Sequence, residues 1–203
     1  MKIGFIGLGI MGKPMSKNLL KAGYELVVSG HNKAVAEEMK ALGAEVRDTP
    51  KEIAAVSDIV ITMLPNSPQV KEVALGKNGI IENLKAGSIV VSDRYVLSSL
   101  AYQGTTCGPR LPWLLNSTFP APGLTLLFEV DPEICITRIR SRLKKEIYET
   151  IEFQRKVKNM YERMADRLSH KGWRIERIDG SKDIESVHQQ IESIVLSFLG
   201  VEC

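Results

Sequence analysis

The chain has 203 residues, of which 44% are hydrophobic, 25% charged and 6% aromatic, and its formal net charge is +3. This composition excludes an intrinsically disordered chain, and no apolar run approaches the roughly 20 residues that a membrane span needs. The chain has three cysteines that lie far apart in sequence and form no CxxC pair, so neither a disulfide framework nor a zinc site is expected. Glycines interrupt the apolar N-terminal segment, so no signal peptide is expected and the predicted location is cytoplasmic.

Positive and negative charges are nearly balanced in each half of the chain. Residues 1–91 carry 11 lysines and arginines against 9 acidic residues, and residues 92–203 carry 16 against 15. Because neither half is a basic domain, nucleic acid is not expected as a partner. A membrane partner is not expected either, and these features leave the oligomeric state open.

Short β-rich runs alternate with helical patterns almost from end to end. In chain order the runs are KIGFIG, ELVVSG, AEVRD (the weakest), DIVITML, SIVVSD, LTLLFEVD and WRIERID. Most are apolar throughout their centre, as is typical of strands buried on both faces of a parallel sheet. One proline-rich stretch, residues 97–123, breaks the alternation and predicts a helix followed by a long loop with a short helix. The alternation predicts an α/β fold with a doubly wound, mostly parallel sheet in a three-layer sandwich.

The first predicted strand runs directly into a glycine-rich turn, GLGIMG, which precedes a predicted helix. In a dinucleotide-binding turn of this frame, Gly7 makes the tight turn, Gly9 lets a pyrophosphate approach the backbone, and Gly12 lets helix and strand pack closely. The helix N-terminus then faces the phosphates. The predicted cofactor-binding residues of the turn are Gly7, Gly9, Ile10, Met11 and Gly12.

The same turn also comes close to a P-loop, the phosphate-binding motif of many kinases and ATPases. Gly7, Gly12 and Lys13 fit its G-x-x-x-x-G-K frame. Pro14, however, replaces the serine or threonine whose hydroxyl holds Mg²⁺. A kinase-type cradle is therefore the weaker interpretation, Mg²⁺ is not expected, and no metal site is predicted.

The end of the second predicted strand bears on the choice of cofactor. NAD-binding folds place an acidic residue here on the ribose hydroxyls, whereas this chain has SGHNK at residues 29–33. Asn32 and Lys33 would suit a 2′-phosphate, which favours NADP(H) over NAD(H). The alternative is a solvated turn with no role in binding.

Three strings within residues 1–91 carry a family resemblance: KIGFIGLGIMGKPMSKNLLKAGY, the highly specific ITMLPNSPQVKEVALGKNGI, and SIVV. They resemble the β-hydroxyacid dehydrogenase family, and most closely the bacterial tartronate semialdehyde reductases. The resemblance implies that the loop of Leu64, Pro65 and Asn66 lies along the cofactor. That family continues with a glycine-rich substrate loop, a catalytic lysine and a helical second domain, whose patterns do not follow in this chain.

Two strings in residues 92–203, SDRYVLSSLAYQG and LTLLFEVDPEICITRIRSR, resemble the thymidylate kinases. The resemblance implies an active-site pair, Asp93 and Arg94, with the arginine near the acceptor phosphate. The residues that it implies for holding the acceptor or approaching the lid are Arg94, Ser98, Tyr102, Gln103, Arg138 and Arg142. The first half of that family, with its P-loop, has no counterpart here.

The two resemblances meet inside a predicted strand, at SIVV followed by SDRY. We therefore predict one domain, residues 1–203, made of a dehydrogenase-like half (1–91) and a kinase-like half (92–203). The dehydrogenase resemblance implies the strand order 3-2-1-4-5, and right-handed crossovers allow the later strands to extend this sheet to about seven strands. The functional prediction is an engineered or recombined chimera without native catalysis, which binds NADP(H) weakly and has a nucleotide-like small molecule as its partner. The alternatives are an NADP-dependent β-hydroxyacid reductase and a nucleoside monophosphate kinase.

Overall fold

The computed structural model describes residues 1–64, 67–84, 87–139 and 150–201. The chain forms two compact units, Met1–Tyr95 and Val96–Cys203, and their boundary lies close to the predicted one between residues 91 and 92. The single domain predicted for residues 1–203 stays a prediction. The residues with predicted roles that lie outside the described ranges are Pro65, Asn66 and Arg142.

The first unit is built on a parallel sheet of five strands in the order β3-β2-β1-β4-β5. The strands are β1 (Lys2–Ile6), β2 (Glu25–Ser29), β3 (Glu45–Arg47), β4 (Ile59–Thr62) and β5 (Ile89–Ser92). Each lies within one of the runs that predicted a strand. The predicted α/β class and the order 3-2-1-4-5 are therefore confirmed.

Helices cover both faces of this sheet. They are α1 (Gly12–Lys21), α2 (Lys33–Ala41), α3 (Pro50–Val56) and α4 (Ser67–Leu75), with a short 3-10 helix at Ile81–Asn83. On one face, Phe5 and Val28 pack with Met39 of α2. On the other face, Val27 packs with Ile53 of α3. Successive residues of β2 point to opposite faces, which gives this unit the predicted three layers.

The second unit contains a separate, two-stranded parallel sheet. Its elements are α5 (Val96–Cys107), α6 (Arg110–Asn116), β6 (Thr125–Glu129), α7 (Pro132–Ile139), α8 (Ile151–Ser169), β7 (Ile175–Asp179) and α9 (Ile184–Leu199). The prediction that the later strands extend the first sheet is wrong, because β6 and β7 pair with each other along all five residues of each strand. The chain between them supplies the long crossover that parallel neighbours require.

The second unit has an apolar interior to which both its strands and its helices contribute. Buried side chains there include Leu100 of α5, Leu127 of β6, Leu168 of α8 and Ile178 of β7. Thr150 is the N-cap of helix α8, and its side chain accepts a hydrogen bond from the backbone N–H of Phe153. The second unit therefore has a hydrophobic core built from its own strands and helices.

No described helix is both long enough and apolar enough to cross a membrane. The cytoplasmic location expected from the sequence stays a prediction, and so does the expectation that nucleic acid is not a partner.

Candidate functional site

The glycine-rich turn lies where the strand order of the first sheet reverses, between β1 and β4. In open α/β sheets, ligands bind at such a point, in the crevice outside the carboxyl ends of the strands. The two strands end together, because Ile6 lies opposite Thr62 and the Met63 N–H donates to the Ile6 carbonyl at 2.9 Å. The turn that follows β1 is therefore at the position where this fold forms ligand sites.

Two glycines of the turn have no room for a side chain. Gly7 has a φ of 106°, in the left-handed region, and a Cβ there would lie 2.2 Å from the Met63 carbonyl oxygen. A Cβ on Gly12 would lie 1.9 Å from the Gly7 carbonyl oxygen and 3.0 Å from the Phe5 ring. Only glycine allows the chain to turn this tightly and α1 to pack this closely on β1.

The middle glycine, Gly9, differs because it is exposed and its Cα faces open space. A Cβ on Gly9 would meet no atom of the described structure within 4 Å. Its neighbours Ile10 and Met11 are 94% and 56% exposed. Met11 is the N-cap of α1, where no side chain caps the helix and no acidic residue stands in the first turn. This N-terminus, with its partial positive charge, suits an anion such as a pyrophosphate.

Lys13, which fits the lysine position of a P-loop, is paired with α2. Its Nζ lies 2.6 Å from Glu38 Oε2, and Lys17 Nζ lies 2.6 Å from Oε1 of the same carboxylate. Pro14 lies in the first turn of α1, so the P-loop hydroxyl is missing. Among the described residues, no group of three or more His, Cys, Asp or Glu is placed to hold a metal ion. The kinase-type interpretation gains no support from this geometry.

Glu38 should make the first unit sensitive to acid. Hydrogen bonds from Lys13 and then Lys17 lower the pKa of Glu38 below its ordinary value of 4.5. Because the pKa is lowered in the folded state, ionised Glu38 stabilises the fold at pH values above its ordinary pKa. This contribution is lost as the pH falls through the folded-state pKa. We expect Glu38→Gln to be less stable than the wild type at about pH 7 and equally stable at about pH 2. The difference at neutral pH should be slight, because the paired side chains are partly exposed.

Urea unfolding followed by far-ultraviolet circular dichroism at both pH values would measure this effect. Glu37→Gln, on the exposed side of the same helix, is the matched control, because it removes the same charge from α2 but leaves the pairing of Glu38 with Lys13 and Lys17 intact. A Glu38→Gln difference that stays constant down to the acidic pH would contradict the prediction.

The end of β2 carries no acid of its own, but an acid from the end of β3 lies beside it. The Gly30 N–H donates to the Arg47 carbonyl at 2.8 Å, which brings Asp48 next to Gly30. A Cβ on Gly30 would lie 2.8 Å from Asp48 Oδ1. Asp48 is not among the residues that the sequence predicted for the site. The signal for it was its place as the last residue of the weak run AEVRD.

Asn32 and Lys33, which were predicted to suit a 2′-phosphate, lie at the start of α2. Asn32 is the N-cap of this helix, and its Oδ1 accepts a hydrogen bond from the Val35 N–H at 3.3 Å. Both Asn32 and Lys33 are exposed. The Asn32 side chain thus stabilises α2, and contacts of these two residues with a cofactor stay a prediction.

Further predicted site residues lie at the ends of β4 and β5. Leu64 packs beside the turn, with Cδ2 3.3 Å from where a Gly7 Cβ would be. The Asp93 N–H donates to the Thr62 carbonyl at 3.2 Å, and Arg94 Nε lies 4.0 Å from Asp93 Oδ2. Leu64, Asp93 and Arg94 therefore share the carboxyl edge of the sheet with the glycine turn. Their binding and catalytic roles stay predictions.

The residues predicted to hold a nucleotide acceptor lie mainly in the second unit, on α5. Ser98 Oγ lies 2.9 Å from Tyr161 OH, and Gln103 Oε1 accepts a hydrogen bond from Ser99 Oγ at 2.7 Å. The rings of Tyr102 and Tyr161 meet edge to face, with centroids 6.1 Å apart. The two contacts with Tyr161 join α5 to α8, whereas the Ser99–Gln103 bond lies within α5. A role of these residues in binding a nucleotide stays a prediction.

Arg138, predicted to approach a nucleotide from the lid, holds the loop after β7. Its guanidinium donates to the carbonyls of Gly180 at 2.8 Å and Ser181 at 3.1 Å. A cavity of about 170 Å³ lies elsewhere in the second unit, at the carboxyl end of β6, and is lined in part by Tyr102 and Cys135. Arg138 is not among the residues that line this cavity. Its hydrogen bonds stabilise the loop after β7, and its approach to a nucleotide stays a prediction.

Comparison with known proteins finds relatives of this chain. Residues 2–103 match the family model described as the NAD binding domain of 6-phosphogluconate dehydrogenase. Mitochondrial 3-hydroxyisobutyrate dehydrogenase of Mus musculus is 42% identical over 99 residues, which cover 49% of this chain and 30% of that protein. The 2-hydroxy-3-oxopropionate reductase of Escherichia coli (strain K12) is 45% identical over 91 residues, which cover 45% of this chain and 31% of that protein. A Treponema pallidum (strain Nichols) protein named as a thymidylate kinase is 38% identical over 119 residues, which cover 57% of each chain.

The range of the family match corrects the main functional prediction. The match extends across the expected junction between residues 91 and 92 and into α5. The prediction of a chimera without native catalysis is therefore wrong, and the dehydrogenase-type alternative is better supported. The aligned part spans about a third of the length of the matched dehydrogenases. Because residues 2–103 make up half of the chain, the chain belongs to the family of the NAD-binding domain of 6-phosphogluconate dehydrogenase.

Proposed function

We propose that the first unit binds a nicotinamide adenine dinucleotide and that the protein is an oxidoreductase of the β-hydroxyacid dehydrogenase type. The observation that carries the proposal is the contrast within one turn. A Cβ on Gly7 or Gly12 would collide with a backbone carbonyl oxygen, whereas a Cβ on Gly9 would meet no described atom within 4 Å. A turn with this contrast holds its shape while it exposes the backbone at the point that a pyrophosphate approaches.

The parts of the first unit take separate roles in this proposal. Gly9, Ile10 and Met11 place their backbone and the N-terminus of α1 against the pyrophosphate, since α1 has neither a side-chain cap nor an acid there. Leu64 and the next two residues in the sequence, Pro65 and Asn66, would lie along the cofactor. When bound, the dinucleotide supplies a nicotinamide that donates or accepts a hydride. The chain's own contribution is to bind and orient it.

The substrate class is proposed from the relatives. One is named a 3-hydroxyisobutyrate dehydrogenase and another a 2-hydroxy-3-oxopropionate reductase, and both names describe small acids with an alcohol or aldehyde group. We therefore propose a small β-hydroxyacid, or the corresponding oxoacid, as the substrate. The weakness of cofactor binding that the sequence predicted is not retained, because it followed from the chimera.

Cofactor binding is tested by titrating the full-length protein with NADH and with NADPH. We expect a saturable change in nicotinamide fluorescence with at least one cofactor, and a melting temperature that rises with its concentration, because a ligand that binds only the folded state stabilises it. Reduced nicotinamide mononucleotide lacks the pyrophosphate and adenosine and should cause neither change. No response to either dinucleotide would overturn the proposed function.

The oxidoreductase activity needs a separate assay. With 3-hydroxyisobutyrate and the oxidised form of the cofactor that binds, we expect absorbance from reduced nicotinamide to accumulate, and with the oxoacid and the reduced form we expect it to decline. Binding without turnover of either kind would restrict the proposal to cofactor binding.

A further inference from the structure

We propose that Asp48 replaces the acid that β2 lacks, and that its carboxylate makes the site prefer the dinucleotide with a free 2′-hydroxyl, NAD(H), over its 2′-phosphorylated form. This inference rests on the proposed function, because it concerns the adenosine end of the same cofactor. The sequence favoured NADP(H) on the ground that no acid follows β2 in the chain. The fold brings one from the neighbouring strand.

The position of Asp48 follows from the pairing of β2 with β3. The two strands are parallel, with Val28 opposite Val46 and Ser29 opposite Arg47. The hydrogen bond from the Gly30 N–H to the Arg47 carbonyl continues this ladder by one step. Gly30 and Asp48 are therefore neighbours at the carboxyl edge of the sheet, the edge that also carries the glycine turn.

Gly30 stands where the ribose-binding acid is found in this kind of fold, at the end of β2 and about 20 residues after the glycine turn. Its φ is not positive, so its backbone would accept a side chain. What occupies the space is the Asp48 carboxylate, whose Oδ1 lies 2.8 Å from the position of a Gly30 Cβ. A carboxylate is thus present near the usual place, although it comes from β3.

The chemistry of a carboxylate at this place favours one cofactor. An ionised carboxylate accepts hydrogen bonds and can bind ribose hydroxyls. The same negative charge repels a 2′-phosphate at short range. Of the nearby groups that could offset this repulsion, Arg47 is paired with Glu45, and the Asn32 side chain caps α2. Lys33 is exposed, where its charge is screened by solvent and salt.

The test moves the carboxylate from one strand to the other. Three proteins are titrated with NADH and NADPH: the wild type, Asp48→Ser, and the double variant Gly30→Asp with Asp48→Ser. We expect the wild type to bind NADH about tenfold more tightly than NADPH, and Asp48→Ser to bring the ratio near one. The double variant should restore the preference for NADH, because it returns a carboxylate to this place. If Asp48 had only a structural role, a carboxylate at position 30 would not restore the preference. Glu25→Gln, at the opposite end of β2, removes the same charge and should leave the ratio unchanged.

The outcomes separate this inference from the proposed function. If the wild type binds neither dinucleotide, the proposed function fails, and this inference fails with it. If the wild type binds but Asp48→Ser keeps the same preference, the inference alone is overturned. Equal weakening of both cofactors in Asp48→Ser would also overturn it, because the carboxylate would then act away from the 2′ position. Melting temperatures of all variants establish that each one is folded.

Discussion

Replacing Gly9 with alanine should weaken dinucleotide binding by about thirtyfold or more, equivalent to about 2 kcal/mol, while leaving the stability of the fold almost unchanged. The fold tolerates the methyl group because no described atom lies within 4 Å of it and Gly9 does not have a positive φ. Binding is affected because the methyl group would project into the open space where the pyrophosphate has to approach the backbone. Fluorescence titration with the preferred cofactor measures the first effect, and thermal melting measures the second.

Gly104→Ala is the matched control for this substitution. Gly104 also lacks a positive φ, and a Cβ there would meet Met160 at an ordinary contact distance of 3.5 Å. Because Gly104 lies inside α5, alanine should stabilise that helix by up to about 1 kcal/mol and leave cofactor binding unaltered. Unchanged binding in Gly9→Ala would show that the cofactor does not pass this point of the turn.

Replacing Gly7 with alanine should destabilise the first unit by about 3 kcal/mol, because two separate costs add. The first is the left-handed backbone at φ 106°, which alanine rarely adopts. The second is the contact with the Met63 carbonyl oxygen at 2.2 Å, which belongs to the backbone after β4 and cannot rotate away. Cofactor binding should be lost as well, because the turn has to open to admit the side chain.

The choice of probe matters for this measurement. Both tryptophans, Trp113 and Trp173, lie in the second unit, so their fluorescence is a poor reporter of the first. Hydrogen exchange of the β1 amides reports on the affected sheet directly. Gly43→Ala serves as the control, since Gly43 has a φ of 99° but open space around its Cβ, and it should cost about 1 kcal/mol. If the two substitutions destabilised the protein equally, the Met63 carbonyl would have to move aside without a loss of stability, contrary to the prediction.

Much of the first unit could be predicted because its signals are local. The apolar centres of the runs located each strand that the structure describes in this unit. The spacing of Gly7, Gly9 and Gly12 predicted a tight turn at Gly7, an accessible backbone at Gly9 and close packing at Gly12. The strand order also agreed with the prediction, which came from the resemblance of residues 1–91 to the β-hydroxyacid dehydrogenases.

What the sequence did not reveal depends on which strands become neighbours. Apolar runs such as LTLLFEVD and WRIERID show that a strand is buried, but they do not specify its partner, so the pairing of β6 with β7 was missed. Asp48 was missed for the same reason. It is distant from Gly30 in sequence and comes next to it only through the pairing of β2 with β3. The chimera was inferred from a change of resemblance between residues 91 and 92. The family match to residues 2–103 continues across that point.

The position of the Asp48 carboxylate beside Gly30 has a consequence for how such a site can evolve. A side chain at position 30 would push against the Asp48 carboxylate, which is short and exposed, and would displace it with little damage to the fold. For cofactor preference the two positions are therefore expected to be epistatic, because a side chain at 30 would move the Asp48 carboxylate away from its proposed place beside the ribose. A change of cofactor preference along this lineage would depend on the order in which the two codons changed.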